Sequence, residues 1–386
     1  MSVQLPQEYK DEIKGITDGG FASGNTEDVG QVTGRGIFLS NLPGSLANFN
    51  IILEDEKEYP ARSKEAEIAS KLSVGVDAVK RLLDVLEQRL QRGMQCSMFG
   101  VWGSRTVDGK LFTGRNLDWE TQTGVSKYKL ITIHHPDPNS GRIAHATVGW
   151  AGVYGAITGI SAKGITVHEA NLESDTTTLR GFAWMLRLRA VMSEATNIEE
   201  ALTIWNATNN TCGFNFGFGS ASDGTAVVLE TMRDYSAVFG ANDPREEEYI
   251  VKGENVGMPR PEAVYRTNHG YDPYTIEHYA WNGTGALDYS ITRYELFPTL
   301  FDGFEEDNHR ITIEDAINIT AIVGDKGKND LFDCEGAVSD ANNVLSVTFD
   351  PAELEAYVAW EGYGGAWTPA ACNTYLKMSL KEWFKE

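Results

Sequence analysis

The sequence predicts an α+β protein built from antiparallel sheets, and three observations predict it. Segments of period 2 come in runs joined by short Gly-bearing turns, segments of period 3.6 sit between those runs, and no strand–helix–strand alternation is visible. The 386 residues are 41% hydrophobic, 10% aromatic and 23% charged, which is enough apolar material for a large core and excludes a disordered chain.

Residues 1 to 60 mix Gly, Asn and acidic residues with short apolar stretches and show no long period. From Asp77 to Gly93 the apolar residues Val79, Leu82, Leu83, Leu86 and Leu90 form the stripe of an amphipathic helix, and Gly93 is a natural stop. The period then drops to 2. Ser97 to Val101 and Leu111 to Leu117 read as two strands joined by an Asp108-Gly109 turn of type I′. Strand-like runs continue at Leu130 to His134, Ala144 to Trp150 and Ile165 to Ala170, the last after a Gly-rich stretch from Gly149 to Gly164. Helices follow at Leu179 to Met192 and Glu199 to Trp205, the second opened by a capping-box-like Asn197-x-x-Glu200. Gly213 to Gly219 and Thr225 to Met232 form a hairpin across Ser222-Asp223-Gly224, and Asn242 to Pro261 reads as a surface loop. A helix at Ile313 to Val323, strands at Val344 to Phe349 and Ala356 to Trp360, and a terminal helix complete the chain.

With 33 Lys+Arg against 55 Asp+Glu, the formal charge of −22 leaves few cations for a phosphate-binding face, so nucleic acid is excluded as a partner. No window approaches the roughly 20 apolar residues of a membrane span. Met1 to Lys14 is polar and acidic, unlike a secretory signal, so the protein is expected to be cytoplasmic, or lysosomal or secreted if a signal lies upstream of this sequence. Sequons at Asn206, Asn209, Asn282 and Asn318 are as many as chance supplies and do not decide the compartment. Cys96, Cys212, Cys334 and Cys372 are too scattered for a disulfide scaffold or a zinc site, and adjacent His134 and His135 on a strand would point to opposite faces. No metal or cofactor is implied, and the composition allows a homo-oligomer.

Cys96 stands where a helical segment gives way to the first strand. In a hairpin centred near residue 107 it faces position 118, with a loop asymmetry or bulge, so that Arg115 and Asp118 return beside the thiol. A nearby cation favours the thiolate, the form that attacks carbonyls. Taken alone, a lone Cys is more often a small buried apolar residue than a nucleophile, and Arg and Asp on an antiparallel strand are usually a cross-strand ion pair.

The chain from Cys96 onward resembles the N-terminal nucleophile hydrolases of the choloylglycine hydrolase and penicillin acyltransferase type, in particular the isopenicillin N acyltransferase-like group. The resemblance rests on five blocks in the family order. They are Cys96 at a strand start, Asp-Gly-Lys-Leu-Phe-Thr-Gly-Arg-Asn-Leu-Asp-Trp at 108–119, Gly-Ile-Thr-Val-His-Glu-Ala-Asn at 164–171, Arg-Thr-Asn-His at 266–269, and Ser-Ile-Thr-Arg-Tyr at 290–294. It implies a four-layer αββα sandwich of two antiparallel sheets, with a propeptide-like segment at 1–95 and the hydrolase domain at 96–386.

The resemblance also implies roles. Cys96 is the nucleophile, exposed as a new N-terminus when the precursor cuts its own Gln95-Cys96 bond, although Gln95 departs from the small residue frequent at that position. The freed α-amine, titrating at about 7.7–8.0, is the general base. Asp118 orients that amine, Arg115 lies by the nucleophile, Asn171 and Asn268 belong to the oxyanion hole, and Arg293 closes the site. The expected reaction is attack on a linear C–N amide of a small-molecule N-acyl compound or lipid amide through an acyl-thioester, with release to water or an amine. Trp102, Trp119, Trp150, Tyr154 and Trp184 fit either an apolar acyl pocket or the core. Two rival readings are a non-catalytic, uncut sandwich used for binding or storage, and a Cys-His thiol hydrolase in which His269 is the best-placed partner.

Overall fold

The computed structural model describes residues 9, 11–12, 95–119, 128–151, 153–178, 181–280, 284–324, 343–362 and 368–385. The amphipathic segment 77–93 lies outside them. Two antiparallel sheets dominate. One has six strands, in spatial order β12 (Ala263–Arg266), β1 (Gln95–Val101), β2 (Phe112–Asp118), β13 (Asn343–Asp350), β14 (Glu355–Trp360) and β15 (Leu376–Ser379). The other runs in chain order through β3 (Lys129–His134), β4 (His145–Trp150), β5 (Thr158–Ser161), β6 (Ile165–Asn171), β7 (Phe214–Ser220), β8 (Thr225–Met232) and β9 (Tyr235–Phe239).

The sheets pack face to face, β1 and β2 against β6, β7 and β8. Helices α1 (Trp184–Glu194) and α2 (Ile198–Asn206) cover the seven-stranded sheet; beyond the short α3 (Pro273–Glu277), α4 (Gly285–Glu306) and α5 (Ile313–Val323) cover the six-stranded one. This is the four-layer αββα sandwich that the motif blocks imply.

Strand alternation builds it. In β1, Cys96 and Met98 enter the core between the sheets, whereas Phe99 and Val101 join Phe297 and Phe301 under α4. In β7, Phe214 packs on Trp184 of α1 and Phe216 on Trp205 of α2, with ring centroids 4.7 Å and 4.4 Å apart, while the alternate positions Gly217 and Gly219 face the opposite sheet. A Cβ on Gly219 would lie 2.9 Å from Thr113 Cγ2, and one on Gly100 2.7 Å from Ala226 Cβ, so these glycines permit the close approach of the sheets. Trp150 and Trp184 are buried in this core, which settles the structural role for both. Cys96 and Cys212 are free buried thiols and Cys372 is disulfide-bonded.

Several expected elements differ. The first hairpin closes not through a two-residue turn but through two 3₁₀ turns, Gly103–Arg105 and Val107–Gly109, although Asp108 and Gly109 do take the left-handed conformation that a type I′ turn requires (φ 59° and 69°). The ladder is regular, and its register pairs Cys96 with Leu117 and Gln95 with Asp118, one residue away from the expected pairing of 96 with 118. The helix expected from Leu179 starts at Trp184. The expected terminal helix does not form: the flank of β14 takes residues 376–379 as β15, pairing Leu376 with Val358 and Met378 with Ala356, so tertiary context overrides local propensity. The 22-residue α4 escapes a sequence reading because Pro298 and Gly303 interrupt its pattern, and the loop at 242–261 contains the ribbon β10 (Ile250–Val251) and β11 (Glu254–Asn255). Of the N-terminal segment, Tyr9 is buried against α1 and Glu12 accepts two hydrogen bonds from Arg189, at 2.6 Å and 2.7 Å.

Candidate active site

Cys96 is the second residue of β1, and its side chain points between the sheets. Opposite residues of an antiparallel pair share a face, so the Met98–Arg115 pairing sends the Arg115 side chain into the same space. There Arg115 Nη2 lies 3.6 Å from Cys96 Sγ. The pairing of β5 with β6 covers Thr166 and Val167, and farther along β6 the Glu169 carbonyl accepts from Arg115 Nε at 3.1 Å. Arg115 Nη2 also donates to Glu169 Oε1, forming an ion pair in which both side chains are at most 1% exposed.

The backbone of Cys96 is gripped from another direction. Its N–H donates to Asn268 Oδ1 at 2.8 Å, and its carbonyl accepts from Arg293 Nη1. Arg293, on α4, donates through Nη2 to Gln95 Oε1 and to Asn268 Oδ1, each at 2.6 Å. A planar guanidinium thus spans both residues of the Gln95-Cys96 link.

Asn268 is itself fixed. Its N–H donates to Ser290 Oγ at 2.7 Å, its Nδ2 to the Asn171 carbonyl at 2.8 Å, and Asn215 Nδ2 holds the carbonyls of Thr267 and His269 at 2.9 Å and 3.0 Å. Asn171 Nδ2 donates to Glu173 Oε2 at 3.0 Å, and its backbone N–H serves the Cys96 sulfur. In the uncut chain, both carboxamide groups expected at the oxyanion hole therefore donate to protein acceptors.

Asp118 is placed differently from the other expected residues. Paired with Gln95, it lies on the face of the sheet opposite to the thiol, and its Oδ1 accepts from Asn343 Nδ2 at 2.9 Å. The structure therefore brings Arg115, Asn171, Asn268 and Arg293 into hydrogen bonds with Cys96 or its immediate partners, with Asp118 one strand face away. Sequence reasoning missed Glu169, Ser290 and Asn215 as members of the network. Glu169 and Ser290 stand inside two of the motif blocks, and that position was the available signal.

Electrostatics set the resting state. The Cys96 thiol is pushed up to about 12, first by burial and next by the Glu169 carboxylate, with Arg115 pulling the other way. In the intact chain the sulfur is therefore a neutral thiol at pH 7. His269 joins this network through Ser290 and not through the sulfur: its Nδ1 lies 2.8 Å from Ser290 Oγ and its Nε2 3.0 Å from Tyr271 Oη, and burial lowers it to about 3. The hydrogen-bond partners of Cys96 in the structure are Asn268, Arg115, Arg293 and Asn171, so the Cys-His dyad does not form. Among the described residues no group of three metal-ligating side chains is assembled, and no helix is long and apolar enough to cross a membrane.

The family model for acyl-coenzyme A:6-aminopenicillanic acid acyl-transferase matches residues 104–363, a span that starts beyond Cys96 and includes Arg115, Asp118, Asn171, Asn268 and Arg293. Protein dcd1B of Dictyostelium discoideum is 31% identical over 150 residues, which is 39% of this chain and 30% of that protein, so the chain's match spans about a third of its length. Among solved structures, a Caenorhabditis elegans ortholog of N-acylethanolamine-hydrolyzing acid amidase aligns at 13% identity over 67% of this chain and 93% of that one, with a TM-score of 0.43. A mutant conjugated bile acid hydrolase from Clostridium perfringens aligns at 14% identity over 74% and 93%, with a TM-score of 0.44. On the family match, the chain belongs to the acyl-coenzyme A:6-aminopenicillanic acid acyl-transferase family of N-terminal nucleophile enzymes.

Proposed function

We propose that the chain is a cysteine amidase or acyltransferase for linear N-acyl amides, and that it first cuts its own Gln95-Cys96 bond. The observation that carries this reading is the convergence on one residue: Cys96 has its sulfur 3.6 Å from Arg115 Nη2, its N–H on Asn268 Oδ1 and its carbonyl on Arg293. A structural thiol needs none of these partners.

In the self-processing step, Sγ attacks the Gln95 carbonyl carbon, the C–S bond forms as the C–N bond breaks, and the thiol proton passes to the departing Cys96 nitrogen. Water then attacks the thioester and the C–S bond breaks. A proton returns to sulfur, leaving a Gln95 carboxylate and a Cys96 α-amine. That amine, at about 7.7–8.0, takes the thiol proton in later turnovers, a task that the neutral His269, bonded to Ser290 and Tyr271, does not perform. With an external amide the same atoms give an acyl-thioester on Cys96, released to water or to an amine acceptor. Arg115 supplies the positive charge beside sulfur, and Asp118 stands across the strand from the liberated nitrogen.

The test is a denaturing gel and an intact-mass measurement on wild type and Cys96→Ala. Wild type should divide into residues 1–95 and a second piece beginning at Cys96, and should show an acyl adduct on Cys96 when given a panel of acyl amides. Cys96→Ala should stay whole and unacylated. A persistent single band from wild type, with Cys96 inert to iodoacetamide, would instead favour a binding or storage protein.

A further inference from the structure

Arg115 is held at two points by one residue on the facing sheet. Its Nε donates to the Glu169 carbonyl at 3.1 Å and its Nη2 to Glu169 Oε1, while the same Nη2 reaches the Cys96 sulfur at 3.6 Å. Two contacts along one edge fix the plane of a guanidinium, and here the plane decides which nitrogen meets the thiol. Arg115 Nη1 and Glu169 Oε2 are buried without a hydrogen-bond partner among the described residues. An ion pair this deeply buried, with polar valences unused, is poor evidence of a stability device. It suits a group kept for the chemistry beside it.

We propose that Glu169 is a positioning residue for the reaction at Cys96: through its carbonyl and its carboxylate it fixes Arg115 against the sulfur. The inference rests on the reading of Cys96 as nucleophile. The charged groups around Cys96 are Arg115 beside the sulfur, Asp118 on the other face of β2, Glu169 from β6 and Arg293 from α4 on the backbone carbonyl. Of these, Glu169 stands next after burial in raising the thiol, while Arg115 opposes it. Glu169 is thus tied to both the cation and the sulfur.

The experiment is the pH dependence of the self-cleavage rate of the full chain. Glu169→Gln keeps the shape and removes the charge, so the midpoint should fall by about one pH unit or more, and the plateau rate should drop about 10-fold as Arg115 loses its anchor. Glu169→Asp keeps the charge and withdraws it by one methylene, so it should retain the wild-type midpoint with a slower plateau. In an Arg115→Met background, Glu169→Gln should still lower the midpoint but leave the plateau unchanged, because Arg115 is no longer there to be positioned. That pair leaves no lone buried charge and serves if Glu169→Gln alone does not fold. A plateau rate of Glu169→Gln equal to that of a wild type that cuts, or an equal loss from Glu169→Gln in the Arg115→Met background, overturns this inference alone. A wild type that never cuts overturns the reading of Cys96, and the inference with it.

Discussion

Asn268→Ala is the most searching perturbation of the site, because every polar atom of that side chain is committed. Its Oδ1 accepts from Cys96 N–H at 2.8 Å and from Arg293 Nη2 at 2.6 Å, and its Nδ2 donates to the Asn171 carbonyl at 2.8 Å. Arg293 keeps two other acceptors, so truncation strands chiefly the Cys96 N–H and the Asn171 carbonyl, both in the fully buried interior. At about 1–3 kcal/mol for each unsatisfied group, the fold should lose about 2–6 kcal/mol. The Cys96 nitrogen is also the leaving atom of the proposed self-cleavage, so about 1–3 kcal/mol of its positioning converts into a rate loss of about 5- to 150-fold.

The two effects are read separately. Urea unfolding in a Cys96→Ala background, where no cut chain complicates the transition, gives the stability term. The first-order appearance of the Cys96 N-terminus gives the rate. Asn268→Asp retains an acceptor for Cys96 N–H and Arg293 but turns a second oxygen toward the Asn171 carbonyl, so it should lose stability comparable to Asn268→Ala and cut faster than it. If Asn268→Ala cuts within about threefold of wild type with unchanged unfolding, the hydrogen bond to Cys96 N–H does not organise the bond that breaks, and the reasoning fails.

Two further outcomes follow from individual contacts. Gln95→Ala supplies the small residue usual before the cut but removes the 2.6 Å contact to Arg293 Nη2; a hydrogen bond to a charged donor is worth about 1.5–3 kcal/mol, so cutting should slow by about 10- to 100-fold, and a variant that cuts as fast as wild type would show the contact to be incidental. His168 is buried between Thr158 Oγ1 and Thr113 Oγ1, each at 2.9 Å, and burial depresses it from 6.5 to about 3. A histidine whose folded pKa lies below its unfolded value leaves the unfolded state binding more protons, so its cost is absent above pH 6.5 and grows as pH falls, to about 2 kcal/mol at pH 5. Glu169, raised by burial, works in the opposite sense over the acid range, which makes the difference between wild type and His168→Gln the useful quantity. In urea titrations the stability gap between the two should shift by about 2 kcal/mol in favour of the variant from pH 7 to pH 5, and a pH-independent gap would refute a neutral buried imidazole.

What could be read from the sequence tracks how local each signal is. β1, β2 and the Ser222-Asp223-Gly224 hairpin announce themselves by alternation and turn chemistry, and Arg115 follows from Cys96 because both sit on one hairpin. The register did not follow to the residue, since turns around Thr106 and its bridge to Ile311 set the loop length, and that contact is invisible from the hairpin alone. The error matters chemically: pairing Asp118 with Gln95 moves the carboxylate to the other face of the sheet. Asn268 and Arg293 lie 172 and 197 positions from Cys96, and only the order of motif blocks linked them to it; α4, which presents Arg293, has no clean periodic signal. Glu169 could not be found from strand alternation. In the β6–β7 register it pairs with Phe216, whose ring packs on Trp205 of α2, so alternation assigns it to the helix side, whereas its carbonyl and carboxylate both bond Arg115 of the other sheet.

The distribution of contacts says which atom the fold organises. The sulfur has a 3.6 Å approach from Arg115 and a fully buried surround that keeps it protonated, whereas the peptide nitrogen and the two residues flanking it are held by Asn268 and by two bonds from Arg293, whose third bond goes to Asn268. A site evolved around a standing thiolate would invest in the sulfur, as low-pKa cysteines do with adjacent cations or helix termini. Here the investment is in the link. On the proposed reading, scission converts a hydrogen-bonded amide N–H, which has no basicity, into an amine whose lone pair becomes available. Asn268 Oδ1, already placed to accept one of its protons, would then direct the lone pair away from itself. The buried, neutral thiol of the uncut chain is what such a mechanism requires: its one target is the adjoining Gln95 carbonyl, and reactivity toward external amides is withheld until the base that activates the sulfur has been created a few bonds away from it.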